Sequence, residues 1–166
     1  MRSSAVTAIA GASGRASPND CIEVTRTMPT MRTITVATQR KDEVVDLTDT
    51  VAAFVREAAE QGHGEQGVCV AFAAHTTCAL TTADLDPGTD RDLLDYLSAL
   101  RTLLPPGAYR HPHNPAHAPD HLLSSLLGPS VAIPFAGGRL LLGTWQRIVL
   151  VELDGPRQRT VHLSCW

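Results

Sequence analysis

The stretch GVCVAFAAHTTCALTTADLDP, residues 67–87, decides the fold because it carries an apolar strand straight into a run of polar side chains. The continuous apolar run from Val68 to Ala73 predicts a strand that is buried on both faces. After a turn at His75, ALTT (residues 79–82) predicts a shorter strand, which ends before Asp86-Pro87-Gly88. A histidine, hydroxyl groups and carboxylates therefore follow a buried strand, where a rigid scaffold meets accessible space.

The segments on either side of this stretch predict two long helices. The first is capped by Asp46 or Thr48 and stops at Gly62, with apolar residues at helical spacing in between. The second opens with a capping box formed by Thr89 and Asp92 and ends at Pro105-Pro106. Both apolar stripes are interpreted as core rather than as functional surfaces.

The remaining segments predict a sheet and a third, short helix. RTITVAT (residues 32–38) alternates as a half-buried strand does, and HLLSSLLG (residues 121–128) predicts the short helix. The last third, from residue 130, predicts antiparallel hairpins that turn at Gly137-Gly138 and at Asp154-Gly155-Pro156. The expected fold class is α+β: a single domain with a mostly antiparallel β-sheet and two or three helices packed on it.

Composition limits both the organisation and the partners of the chain. With 166 residues, 43% of them hydrophobic, it has room for one globular domain, which we place at residues 31–166 after a flexible N-terminal extension over residues 1–30. A formal charge of −3 with no basic run predicts no nucleic-acid binding. No apolar run suffices for a membrane span, so the expected location is cytoplasmic and no membrane contact is expected. The four cysteines contain no CxxC pair and are interpreted as buried or incidental thiols.

Seven histidines offer the clearest chemistry, and four of them crowd between Tyr109 and Leu122. Neutral imidazole is a common ligand for zinc and related divalent ions, so the crowding suggests a metal site. The alternative is a proline-rich surface coil, and for His113 and His117 we favour that interpretation. The histidines at the ends of predicted elements are better candidates for a functional site, and they are His75, His111 and His121.

Polar neighbours supply further candidates for a site at His75. Thr76 and Thr77 offer hydroxyl groups, and Asp84 and Asp86 offer carboxylates for ligation or proton transfer. Cys78 could act as a nucleophile, but its apolar neighbours favour a core position.

Two sequences in the last third of the chain also suggest ligand contacts. In GTWQ (residues 143–146), Trp145 could wall a pocket and Gln146 could orient a ligand, although a tryptophan that fills the core is an equally good interpretation of Trp145. Arg157, in the DGPR turn, could bind a phosphate, but an exposed hairpin arginine is more often solvated.

The order and intervals of HTTCALTTADLDP, AYRH, HLLSSLLGPSVAIPFAGGRLLLGTWQ and ELDGPR resemble the YjbQ-like family, also called secondary thiamine-phosphate synthase enzymes. The resemblance covers residues 32–163. It implies a small α+β protein that forms a homotrimer and holds a metal ion or an anion among histidines and acids. The residues to which it assigns catalysis are His75, Asp84, His111 and His121, and the three histidines would also be the metal ligands. The substrate-binding residues that it suggests are Thr76, Thr77, Arg110, Trp145 and Gln146.

Two departures from the family pattern bear on this assignment. Ala83-Asp84 stands where the family usually has Asn-Glu, so an amide is lost and the carboxylate is one methylene shorter. The loop NPAHAPDH (residues 114–121) also differs from its usual counterpart, which leaves the role of His117 open.

The resemblance implies a thiamine-phosphate synthase-like transferase, which couples an aminopyrimidine diphosphate with a thiazole phosphate and releases pyrophosphate. The substrate would be a small phosphorylated molecule, and a divalent ion, zinc or magnesium, would be the cofactor. This activity can also be secondary to another. One alternative is a zinc-dependent hydrolase that uses the same three histidines, and another is a non-catalytic trimeric binding or structural protein.

Overall fold

The computed structural model describes residues 30–103, 105, 108–112 and 114–166. The predicted extension at residues 1–30 lies outside this range except for Thr30, which begins the first strand, and His113 also lies outside it. The described elements, in chain order, are β1 (Thr30–Ala37), β2 (Glu43–Asp46), α1 (Thr48–Glu60), β3 (Gln66–Ala73), β4 (Cys78–Ala83), α2 (Thr89–Arg101), a 3-10 turn (Pro115–His117), α3 (Ala118–Leu127), β5 (Ser130–Ala136), β6 (Arg139–Leu140), β7 (Arg147–Glu152) and β8 (Gln158–Cys165).

The described strands form two antiparallel sheets. The five-stranded sheet has the order β1-β8-β3-β5-β6, and the three-stranded sheet has the order β2-β7-β4. The predicted α+β class, with three helices on antiparallel strands, is confirmed. The predicted hairpin at Asp154-Gly155-Pro156 is wrong, because β7 and β8 belong to different sheets and the turn carries the chain from one to the other.

Two apolar cores lie on either side of the three-stranded sheet. One face of that sheet packs with α1 and the inner face of the five-stranded sheet, through side chains such as Phe54, Leu150 and Leu163. The other face packs against α2 and α3, through Val151, Leu97 and their neighbours. Because β7 is sandwiched between the two cores, its residues from Ile148 to Glu152 are all buried.

Among the residues that the structure describes, the five-stranded sheet is covered on one face only. Along β3, the buried side chains alternate with Val68 and Val70, which are half-buried, and with Phe72, which is exposed. The prediction that this strand is buried on both faces is therefore wrong. Its apolar run conceals a period-2 pattern, since the outward positions are apolar as well.

The apolar stripes of the helices match their sequence patterns, but several helix ends differ. The N-cap of α1 is Leu47 rather than Asp46 or Thr48, α2 ends at Arg101, before Pro105-Pro106, and α3 begins at Ala118 rather than at His121. Val51, Phe54 and Val55 of α1 are buried, as the predicted stripe requires, and each such side chain contributes about 1.5–3 kcal/mol through burial. The predicted capping box of α2 is absent, because its N-cap is Gly88 and no side chain caps the helix. None of the described helices is both long and apolar enough to cross a bilayer.

Candidate functional site

Three imidazole rings converge between the 3-10 turn and the start of α3. Ring nitrogens of His111, His117 and His121 all lie within 4.8 Å of one another. The His111 and His121 rings stack with centroids 5.1 Å apart, and the His117 ring meets that of His121 edge-on at 4.8 Å. We call these three residues the imidazole cluster. Neutral imidazoles at this spacing can hold a divalent transition metal ion.

The backbone fixes the proton of His121. Its Nδ1 lies 3.1 Å from the carbonyl oxygen of Thr76. Because a carbonyl oxygen only accepts hydrogen bonds, Nδ1 carries the proton and donates it. The lone pair then resides on Nε2, which is the form of imidazole that a metal ion binds, with the second nitrogen held by an outer partner.

His117 is held by a carboxylate from the turn between β7 and β8. Its Nε2 lies 2.7 Å from Oδ2 of Asp154, an ion-pair distance, but the carboxylate lies off the ring N–H direction and makes no aligned hydrogen bond. We therefore treat the contact as electrostatic. Burial alone would raise the pKa of Asp154, but a hydrogen bond from Arg157 and the contact with His117 outweigh it and lower the pKa. An ionised carboxylate beside a ligating imidazole orients the ring and makes it more basic.

A second carboxylate fixes the helix that carries His121. Asp120 has a side chain only 1% exposed, and its two oxygens accept from Lys41 Nζ at 2.9 Å and from Arg101 Nε at 2.8 Å. Arg101 also bonds to Asp42, which follows β1. We call these four residues the Asp120 clamp. It joins α2, α3 and the β1–β2 connection, and so positions the residue next to Asp120.

A buried ion pair lies beside the site, and Arg159 is its member that lines the pocket described below. Glu152 and Arg159 have side chains 0% and 3% exposed, and the guanidinium binds both carboxylate oxygens. Thr77 accepts from Arg159 through its hydroxyl at 3.0 Å, and Thr38 donates to Glu152 at 3.0 Å. Burial raises the pKa of Glu152, but the hydrogen bonds from Arg159 and other donors outweigh it and lower the pKa. The pair is internally compensated, because each charge has its partner.

His75 follows β3 and is held differently from the imidazole cluster. Its Nε2 accepts a hydrogen bond of 2.7 Å from the backbone N–H of Thr160. Burial, followed by repulsion from Arg159, lowers the pKa of His75. The structure does not bring this ring into the imidazole cluster, and the third imidazole beside His111 and His121 is that of His117. The interpretation of His117 as solvated coil is wrong, because its ring contacts two other imidazoles and a carboxylate.

Several of these groups line a polar pocket of about 650 Å³. Its lining comes from the β3–β4 and β7–β8 connections, from β8, from the 3-10 turn and from α3, and it includes His75, Thr76, Thr77, His117, His121, Asp154, Arg157 and Arg159. A second, more apolar cavity of about 360 Å³ shares Ala74, His75 and Thr76 with it and extends past Phe72 and Pro129. Pockets of this size suit small-molecule ligands.

Five of the predicted site residues do not line this pocket. One of them is His111, although its ring stacks on that of His121. Asp84 is exposed, and its Oδ1 accepts from the backbone N–H of Asp86 at 2.8 Å. Gln146 caps its own turn by accepting from the N–H of Gly143 at 2.8 Å, while Trp145 is 64% exposed. Arg110 is exposed in the loop before His111. Of the predicted substrate-binding residues, Thr76 and Thr77 are the ones that line it.

Cys78 agrees with its predicted core position. It is fully buried, and burial raises the pKa of its thiol to about 11 despite the opposing effect of Arg159. Such a thiol stays protonated near neutral pH and is a poor nucleophile.

Sequence reasoning missed His117, Asp154, Glu152 and Arg159. A signal for the first existed, because His117 and His121 are four residues apart and residues at that spacing share one helix face. The sequence pattern identifies Asp154 only as a turn residue and Arg159 only as part of a strand. Their partners lie far away in sequence, so no local pattern reveals them.

A family model described as UPF0047 protein YjbQ-like matches residues 32–166. The chain belongs to this family. A UPF0047 protein of Mycobacterium tuberculosis is 44% identical to the YjbQ-like chain over 124 residues, which cover 73% of this chain and 86% of that protein. The UPF0047 protein YugU of Bacillus subtilis is 31% identical over 138 residues, 81% of this chain and 97% of YugU.

Solved structures agree with the family assignment. The crystal structure of a YbjQ-like protein of unknown function from Sulfolobus solfataricus superposes with a TM-score of 0.75 and 32% identity. The match covers 83% of the YjbQ-like chain and 96% of the Sulfolobus chain. The α+β architecture is therefore that of the family.

Proposed function

We propose that the chain is an enzyme that binds a small phosphorylated substrate beside a divalent metal ion at the imidazole cluster. The observation that carries the proposal is the convergence of His111, His117 and His121 next to a polar pocket of about 650 Å³. Three nitrogen ligands fit zinc better than magnesium, which prefers oxygen ligands. The proposed cofactor is therefore zinc.

The charges in the pocket support a role for a cation. Arg159 is paired with Glu152, and Arg157 with Asp154, so the fixed charges cancel. The described residues that line the pocket include no further Lys or Arg, so a diphosphate would meet no net positive charge from these side chains. A divalent ion, when bound, would supply that charge and stabilise a leaving diphosphate.

The residues of the chain would hold and orient the reactants. The carbonyl of Thr76 keeps the His121 lone pair available, Asp154 faces His117, and the Asp120 clamp fixes α3. The hydroxyl of Thr76, which lines the pocket, would help to orient a substrate. Such preorganisation is what positions two reacting groups for transfer.

The reaction that we propose is the one the family resemblance implies. An aminopyrimidine diphosphate is joined to a thiazole phosphate, and pyrophosphate leaves. The volume and polarity of the pocket support a phosphorylated ligand of this class. A cytoplasmic location is part of the proposal and is supported by the buried, unpaired cysteines Cys69, Cys78 and Cys165, because such thiols are typical of a reducing compartment.

One observation favours a second candidate, a zinc-dependent hydrolase. The imidazole cluster offers three protein ligands, the number found in catalytic zinc sites, where zinc would activate a water molecule. In this case the same three residues would serve hydrolysis of a small substrate.

Metal analysis and assay test the proposal together. We expect about one zinc per chain in the wild type, and loss of zinc and of thiamine-phosphate formation in His117→Asn. The matched control is His63→Gln, because His63 lies at the end of α1 and outside the pocket. Stoichiometric zinc with hydrolysis but without thiamine phosphate would favour the hydrolase. A wild type that neither binds metal nor turns over would contradict both and leave a binding protein.

We also propose a homotrimer. The support is the face of the five-stranded sheet that no described segment of the chain covers. Its outward positions in the central strands carry no Asp, Glu, Lys or Arg: Gln66, Val68, Val70 and Phe72 of β3, Ser130, Ala132, Pro134 and Ala136 of β5, and Gln158, Thr160, His162 and Ser164 of β8. Uncharged faces of this kind mark interfaces. Analytical ultracentrifugation should give three times the chain mass for the wild type and a smaller species for Val70→Arg. A monomeric wild type would contradict the homotrimer.

A further inference from the structure

His75 differs from the imidazole cluster because a backbone N–H occupies one of its nitrogens. Thr160 donates to Nε2 at 2.7 Å, so the lone pair of Nε2 is already used. In the neutral ring the proton must then sit on Nδ1. Because Nε2 accepts from Thr160 and Nδ1 carries the proton, neither nitrogen of His75 has a free lone pair for a metal ion or a proton while this bond persists.

The same geometry leaves one group unused, the N–H at Nδ1. No residue that the structure describes accepts a hydrogen bond from it, although His75 lines both the polar pocket and the cavity beside Phe72. Protonation at Nε2 would set two N–H groups against each other and break the bond to Thr160. The ring is therefore fixed as a neutral donor, and it cannot act as a general base without losing the hydrogen bond from Thr160.

We propose that His75 binds the ligand as a fixed hydrogen-bond donor, with Nδ1–H bonded to an anionic phosphate or diphosphate oxygen in the polar pocket. This inference rests on the proposed function, since it assumes that the pocket binds an anion, and it assigns His75 a role distinct from metal ligation. A preformed donor of this kind costs no reorganisation when the ligand arrives. The pocket would then bind its ligand at two places, a cation at the imidazole cluster and a neutral donor at the end of β3.

Two substitutions separate donor, acceptor and ligand roles. In His75→Asn the amide nitrogen can take the place of Nδ1, so the donor is kept while the acceptor for Thr160 is lost. In His75→Gln the amide oxygen can take the place of Nε2 and accept from Thr160, but the donor at Nδ1 is lost. Thermal denaturation checks that both variants are folded.

The experiment measures binding of inorganic pyrophosphate to the zinc-loaded full chain by titration calorimetry. We expect His75→Asn to bind within about 3-fold of the wild type, and His75→Gln to bind about 10-fold or more weakly, because a hydrogen bond to a charged oxygen is lost. Zinc content should be unchanged in both. Loss of zinc in both variants, or equal affinity of His75→Gln and the wild type, would overturn the inference.

A second readout does not depend on ligand binding. Long-range proton–nitrogen NMR spectra of the wild type should assign the Nδ1–H tautomer to His75, and the Nε2–H tautomer would overturn the inference. If zinc-loaded wild type does not bind pyrophosphate, the proposed function fails together with the anion role. If it binds and His75→Gln binds equally well, only the role of His75 fails.

Discussion

The Glu152–Arg159 pair and the imidazole cluster lie close to the same pocket but use their polar atoms in opposite ways. Every charge of the buried pair has a partner, and hydroxyl and backbone groups satisfy the remaining positions. In the imidazole cluster, by contrast, Nε2 of His121 bonds to no described residue, and Nε2 of His117 has a charged neighbour but no aligned hydrogen bond.

This difference separates residues that hold the fold from residues that can react. A buried charged group with all its partners stabilises the fold, because removal of one partner leaves the other charge buried and uncompensated. A group with an uncommitted lone pair beside a pocket can bind a ligand instead. Substitutions in the first region should therefore change stability, and those in the second should change metal or ligand binding.

The largest expected effect tests the buried pair. Arg159→Met keeps the apolar stem but leaves the Glu152 carboxylate buried without its cation, so the free energy of unfolding should fall by about 3–5 kcal/mol. Urea denaturation measures it. The double variant with Glu152→Gln should recover much of the loss, because both charges are then gone. If the double variant is as unstable as the sum of the singles, the two charges are not coupled as the structure indicates.

A smaller effect is expected at the Asp120 clamp. Like the buried pair, its carboxylate is paired with cations, but it also positions His121 of the imidazole cluster. Asp120→Asn keeps the shape but removes a carboxylate that two cations share, which should cost about 2–3 kcal/mol. Because Asp120 precedes His121, zinc affinity should fall as well. Lys41→Met removes the more exposed cation and should cost less. Unchanged zinc affinity in a destabilised Asp120→Asn would show that the clamp supports only the fold.

The helices could be predicted from the sequence because their information is local. The spacing of Val51, Phe54 and Val55 repeats with the helical period, and Gly62 marks the end of α1 whatever the rest of the chain does. The division of the strands into two sheets could not be predicted in this way. β7 and β8 are consecutive, yet each pairs with strands that lie far away in sequence, and the pairing partners are not encoded in either strand alone.

The candidate site was predictable only where it coincides with element ends. His111 and His121 were singled out on that ground, and the structure brings their rings together. The prolines around His117 favour a surface coil, but Pro115 and Pro119 lie in the 3-10 turn and the first turn of α3, where proline is tolerated. The contact with Asp154 depends on how the two sheets are joined, which local patterns do not contain.

The pH dependence of stability should distinguish His75 from the buried pair. The pKa of His75 is lowered in the fold, so His75 contributes stability above its ordinary pKa of about 6.5, and the contribution is lost as pH falls through the lower, folded value. The pKa of Glu152 is lowered as well, so its contribution to the unfolding free energy is present above the ordinary pKa of about 4.5 and is lost at more acid pH. The difference in unfolding free energy between wild type and His75→Asn should therefore shrink from pH 7 to pH 5. His63→Gln is the control, and a constant difference would contradict the shift.

The smallest effect is expected at an ion pair that resembles the buried one only in its short distance. Arg32 and Glu57 approach to 2.6 Å, but both side chains are 43% exposed. Solvent screens the attraction, and two mobile side chains lose entropy when they pair, so Glu57→Gln should change the unfolding free energy by less than about 0.5 kcal/mol. Urea denaturation beside Arg159→Met makes the comparison direct. A loss at Glu57 as large as that at Arg159 would mean that distance, rather than burial and completeness of partners, sets the worth of an ion pair in this fold.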